Sequence, residues 1–142
     1  MGVLSPWVSL DYYLPMFNEL PQKFEPGERV GYSNAGFILL GLIVESVGKK
    51  SYHRYIQDNI ILPLGLSRTG FYMMNNLPGN TALGYIYDEM SKAYITNILY
   101  MPVVGGSDGG IFTSSGDMIT LWDAVLTNKV FSSDMLLTEI LV

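Results

Sequence analysis

Phe24-Glu25-Pro26-Gly27-Glu28-Arg29-Val30-Gly31-Tyr32-Ser33-Asn34-Ala35-Gly36-Phe37-Ile38-Leu39-Leu40-Gly41-Leu42-Ile43-Val44-Glu45 is the stretch on which the fold turns. Pro26-Gly27, between two glutamates, signals a turn. Ser33 or Asn34 then caps a helix over about 35–47, with Gly48 as its stop and Lys49 and Lys50 beside the negative end of the helix dipole. Apolar side chains from Phe37 to Val44 occupy every side of this helix, and a helix apolar all round is expected in the middle of a core. Gly41 and Glu45 interrupt the run well short of the roughly 20 apolar residues that cross a bilayer.

On the N-terminal side, Asp11 is placed to cap a short helix through Tyr12, Tyr13, Met16 and Phe17 that ends near Leu20-Pro21, with Pro15 working against it. On the C-terminal side, Ser51 opens a helix whose face is Tyr52, Tyr55, Ile56 and Ile60, and Pro63 ends it. Residues 69–80 read as loop. Residues 82–87 and 93–96 suit a small hairpin around Asp88-Glu89-Met90-Ser91-Lys92. Ser114-Ser115-Gly116-Asp117 resembles a capping box before the stripe Met118, Leu121, Trp122, Val125 and Leu126, and Ser133 begins a last helix through Leu141. The expected fold is mainly α with a small β hairpin.

Composition narrows the function classes. The chain has 142 residues, 49% of them hydrophobic, with 8 basic and 13 acidic side chains and a net charge of −5. A pI near 4.6 argues against nucleic acid as a partner, because phosphates require a basic stripe. With no cysteine and one histidine, disulfides, thiolate sites and His-rich metal sites are excluded, and neither metal nor cofactor is expected. A mean hydropathy of +0.25 with 15% charged residues is too apolar for disorder. The N-terminus shows neither a basic n-region nor a continuous apolar run, so no signal peptide is expected and the compartment stays open.

The candidate chemistry begins at Tyr32-Ser33-Asn34. A tyrosine phenol beside a lysine ammonium titrates below its usual value of about 10 and can work as general base or acid. An asparagine amide offers a donor and an acceptor for gripping a substrate amide. The bland reading is that Tyr32 packs and Ser33 or Asn34 caps. Chance alone expects about 0.6 such triplets in this composition, so the triplet by itself carries little.

Its surroundings carry more. The whole stretch from Phe24 to Glu45 resembles the serine β-lactamase-related family of class C β-lactamases, DD-peptidases and esterases, whose pattern is Pro-Gly, Tyr-Ser-Asn, then a helix with Leu-Gly and Glu. Pro63-Leu64-Gly65-Leu66 with Thr69, Leu83-Gly84-Tyr85, and Gly109-Gly110-Ile111-Phe112-Thr113-Ser114 with Asp117-Met118 are similar to further family segments in the same order. The resemblance runs from about residue 20 to the end. It implies a penicillin-binding-protein-like α+β fold and an acyl-transfer hydrolase, in which the serine of a Ser-x-x-Lys motif attacks a lactam, amide or ester carbonyl. By position it makes Tyr32 the proton-handling tyrosine and Asn34 a substrate contact, and it sets Asp108 and Gly109 at the border of the substrate cleft. Loop-forming glycines explain the last two equally well.

The pattern breaks where the nucleophile belongs. None of the 31 residues before Tyr32 forms Ser-x-x-Lys. Ser46-Val47-Gly48-Lys49 does, but at the end of the tyrosine's own helix, where the dipole opposes an oxyanion. It is read as a decoy. Lys-Thr-Gly or His-x-Gly is missing too, and His53 reads as a surface side chain. The chain is therefore expected to be one partial domain, 1–142: the helical subdomain of such a hydrolase, lacking most of the sheet and inactive alone. Its parent would act on a β-lactam, a D-alanyl peptide or an ester. Exposed apolar surface would favour homo-oligomers. The alternative is a non-catalytic binding or interaction module built on the same helices.

Overall fold

The computed structural model describes residues 9–131. Its regular elements are α1 (Asn34–Gly48), α2 (Tyr52–Ile56) continued by a π-helical turn (Gln57–Ile61), β1 (Tyr85–Asp88), β2 (Ala93–Thr96) and α3 (Ser115–Leu126). Two 3-10 segments, Leu10–Met16 and Asn97–Tyr100, complete it. The expected helix after Ser133 lies outside the described residues.

Ser33 is the cap of α1. Its Oγ accepts the Gly36 amide at 3.2 Å, which makes Asn34 the first helical residue. Gly48 does not stop the helix, as expected, but belongs to its last turn, and Lys49 takes the left-handed conformation at φ 52°. Packing explains the glycine instead: a Cβ at Gly48 would stand 2.6 Å from the Tyr55 ring. The N-terminal segment is a 3-10 helix starting at Leu10, with Asp11 in its first turn and not at its cap. Pro15 accounts for the short tight form, because its ring would clash with the carbonyl four residues back in an α-helix.

α2 has two caps. Ser51 Oγ accepts the Arg54 amide at 3.3 Å, and Glu45 reaches across from α1 to accept the Tyr52 amide at 2.7 Å. The π turn ahead of Pro63 inserts a residue and rotates the apolar face, so the buried side chain is Ile61 where the even helical period gave Ile60. The hairpin pairs Tyr85 with Thr96 through Asp88 with Ala93, antiparallel, as the spacing suggested. At α3, Ser114 Oγ accepts the Asp117 amide at 3.2 Å, the first half of the expected box. Ala124 and Val125 are its buried residues, while Trp122 and Leu126 stay exposed.

The core is small. Leu10, 2% exposed, is buried in the 3-10 segment that packs on α1, where Ile38 is 3% exposed, and Ile61, Leu66 and Val104 are buried as well. α1 is not central. Leu40 is 57% exposed and Ile43 58%, so the helix buries one stripe and leaves the rest of its apolar circumference bare.

Among the described glycines, Gly41 has the least room for a side chain. A Cβ there would lie 2.2 Å from Ser107 Oγ, 2.5 Å from Ser107 Cβ and 2.6 Å from Leu10 Cδ1. Helix propensity favours Ala over Gly by about 1 kcal/mol, but overpacking costs about 1–3 kcal/mol, and Ser107 Cβ is tied to its backbone and cannot rotate away. Gly41→Ala is therefore expected to destabilise the fold in urea titration, and adding Ser107→Gly to recover part of the loss. Additive losses from the two changes would show that this contact does not set the fit.

Candidate functional site

Two of the residues singled out in sequence, Asp108 and Gly109, lie on one loop. Gly105-Gly106-Ser107-Asp108-Gly109-Gly110 doubles back on itself, with the Gly106 amide donating to Gly109 O at 2.8 Å and the Gly109 amide to Gly106 O at 3.3 Å. Glycine is required at both ends. A Cβ on Gly105 would stand 2.4 Å from the Gly110 backbone, and Gly110 sits at φ 86°.

Three ties hold the loop. His53 is not a free surface side chain: half-buried, it donates from Nε2 to Gly105 O at 2.7 Å, with its ring edge-on to Phe71 at 4.7 Å. Ser107 presses on Gly41, its Oγ buried and without a hydrogen-bond partner among the described residues. Beyond the loop, Phe112 exchanges both backbone hydrogen bonds with Gly70, at 2.9 and 3.0 Å. Next to that bridge, Asp117 Oδ2 accepts from the Arg68 amide at 2.7 Å and from Thr69 Oγ1 at 2.8 Å. Thr69 and Asp117, matched separately in sequence, are thus partners in one clamp.

Between the loop, α1 and α2 lies a pocket of about 260 Å³. Tyr32 and Phe37 line it from the head of α1, Tyr52 and Ile56 from α2, Phe71 from the loop after α2, and Asp108 and Gly109 from the glycine loop. Tyr32, 77% exposed, packs its ring against Phe37 at 5.8 Å. Tyr32, Asp108 and Gly109 therefore share one hollow. Asn34 begins α1 two residues after Tyr32 but is not among the lining residues. Ser46 and Lys49 lie exposed at the other end of α1, about 18 Å along the axis from Asn34, and take no part. A larger hollow of about 470 Å³ beside Glu45, His53 and Val104 is the poorer candidate, because its carboxylate and its imidazole are already committed to backbone partners.

Sequence reasoning missed the far wall. The sequence places Tyr52 on a helix face and Phe71 in a loop, and in the structure their rings meet at 5.9 Å and complete the aromatic lining. Tyr52 and His53, neighbours on α2, both turn their rings to Phe71. Burial first, and the Asp108 carboxylate second, push the Tyr52 and Tyr13 phenols above their ordinary value. Both keep their protons at neutral pH. Among the described residues no cluster of His, Cys, Asp and Glu is placed to hold a metal ion, and no helix is long and apolar enough to cross a membrane.

Comparison with known proteins matches residues 6–138 to the family model described as Beta-lactamase. The chain is 31% identical over 137 residues to Penicillin-binding protein 4* of Bacillus subtilis (strain 168), covering 88% of this chain and 30% of the relative. It is 31% identical over 134 residues to a putative D-alanyl-D-alanine carboxypeptidase of Escherichia coli (strain K12), covering 80% and 30%. The crystal structure of a penicillin-binding protein from Bacillus halodurans superposes with a TM-score of 0.87 at 40% identity, over 96% of this chain and 42% of that one. The chain thus spans about 30% of the length of these curated relatives, and its helices and lone hairpin are the helical part of that fold without most of its sheet.

The Tyr52 environment gives a titration test. Asp108→Asn is expected to lower the Tyr52 midpoint without bringing it down to the ordinary 10.0, because burial is the larger cause. A phenol raised in the folded state stabilises fully below the unfolded value of about 10, and that contribution is lost as pH rises through the folded value. Ring-¹³C NMR of both proteins between neutral and alkaline pH reads the two midpoints, and an unchanged Tyr52 midpoint would remove Asp108 from its surroundings.

Proposed function

The chain belongs to the beta-lactamase family, and from that premise we propose that it is one partial domain, 1–142, of a serine hydrolase that works through an acyl-serine intermediate. The observation that carries the reading is the convergence of Tyr32 with Asp108 and Gly109 on one aromatic pocket. In this reading Tyr32 handles the proton that passes between the nucleophilic serine and the leaving group. Asn34, at the head of α1, grips the substrate amide, and Asp108 and Gly109 form the edge of the cleft. β-Lactams, D-alanyl peptides and small esters are the substrate classes, and the carboxypeptidase relative supports the peptide.

The nucleophile is the missing part. None of the 31 residues given before Tyr32 forms Ser-x-x-Lys, and the single copy among the 142 sits at the wrong end of α1. The 142-residue chain is therefore expected to form no covalent adduct with a labelled penicillin, as read by intact-mass spectrometry. Stoichiometric acylation would overturn this reading.

The bare apolar face of α1 supports a second expectation. Leu39, Leu40, Ile43 and Val47 are all exposed, and a hollow of about 540 Å³ over Val30, Gly36, Phe37 and Leu40 adjoins them. Apolar patches beyond a few hundred Å² tend to find partners. Self-association that increases with concentration is expected in light scattering, and Ile43→Lys should reduce it. A monomer across a wide concentration range would count against it.

A further inference from the structure

His53 stands where both legs of the glycine loop meet. Its Nε2 lies 2.7 Å from the carbonyl oxygen of Gly105, the residue that opens the loop. A carbonyl only accepts, so Nε2 carries the proton. The same ring stands edge-on to Phe71 at 4.7 Å. Phe71 follows Gly70, which exchanges both backbone hydrogen bonds with Phe112 on the outgoing leg. One imidazole thus ties the incoming leg by a hydrogen bond and the outgoing leg through a ring contact.

Between those legs the chain has little freedom. Gly106 and Gly109 pair in both directions, and Gly105 lies too close to the Gly110 backbone for a Cβ, so Ser107 and Asp108 form the tip of a stiff turn. Such a tip moves as its base moves. Gly105 is buried, and a buried carbonyl that loses its donor is costly enough to shift the leg toward water. Tyr52, next to His53 on α2, senses where the tip stands, because the Asp108 carboxylate is the second cause, after burial, of its raised titration.

We propose that His53 is a positioning residue for the pocket: its Nε2–H bond to the Gly105 carbonyl, with the ring edge against Phe71, sets where Asp108 and Gly109 stand relative to Tyr52 and Tyr32. For its bearing on the reaction the proposal rests on reading this pocket as the edge of the cleft. The geometry is tested without substrate, so its failure leaves that reading standing, whereas acylation of the chain would overturn the reading and not the tie.

The test separates the donor from the ring. His53→Phe keeps a ring for Phe71 and removes the donor, and His53→Gln keeps a donor and removes the ring. Tyr52 ring-¹³C titration and amide hydrogen exchange are read on the 142-residue chain and on each variant. His53→Phe is expected to lower the Tyr52 midpoint and to speed exchange of the Gly106 and Gly109 amides about tenfold, with the α3 amides unchanged. His53→Gln should recover most of both. In an Asp108→Asn background, His53→Phe should leave the Tyr52 midpoint where it is. An unchanged midpoint and unchanged loop exchange in His53→Phe would overturn the proposal. So would a midpoint change that persists in the Asp108→Asn background, because it would come from the substituted ring itself. Faster exchange that extends to α3 would make His53 a support of the whole fold and overturn the local role. A His53→Gln variant no better than His53→Phe would overturn the hydrogen bond as the means.

Discussion

Everything that positions the pocket depends on how closely the glycine loop approaches α1 at Gly41. At that point a helix backbone, a serine side chain and the end of Leu10 occupy space in which a single added methyl group has no room. The approach brings Asp108 and Gly109 to the same hollow as Tyr32. It also encloses Ser107 Oγ, which among the described residues has no hydrogen-bond partner, a cost set against the close packing there. Leu10 completes the arrangement from below: a Cβ on Gly106 would touch it at 3.0 Å, so one leucine supports both the helix and the loop.

Local signals were legible in the sequence and long-range ones were not. The caps at Ser33, Ser51 and Ser114 and the pairing of the hairpin depend on residues within a few positions of each other, and the structure has them. The small size of Gly48 answers to Tyr55 on the next helix and not to backbone strain, which no local pattern shows. His53 is the same kind of case, since its partner is the Gly105 carbonyl far along the chain. The pocket was half visible. Tyr32, Asp108 and Gly109 stand in segments that carry the resemblance, whereas Tyr52 and Phe71 belong to no motif and join them only in space.

The apolar α1 shows the limit of a periodicity argument. A helix hydrophobic on all sides was expected at the centre of a core, yet here it buries Ile38 and Gly41 and exposes most of the rest. The sequence of this helix is consistent with burial on two sides, and the described residues supply one. The same shortage appears on α3, where Trp122 and Leu126 are exposed although they lie on its apolar stripe.

The tie between His53 and Gly105 has a practical side. The chain contains a single histidine, and its imidazole both holds the first carbonyl of the glycine loop and stands edge-on to Phe71, a wall of the pocket. One pair of ring-proton resonances, free of overlap from any other imidazole, therefore reports whether the loop is seated. Any event that lifts Gly105 or turns Phe71 changes the hydrogen bond or the ring current at that one side chain. The fold carries its own spectroscopic gauge of the cleft, with no label to introduce and no assignment to disentangle.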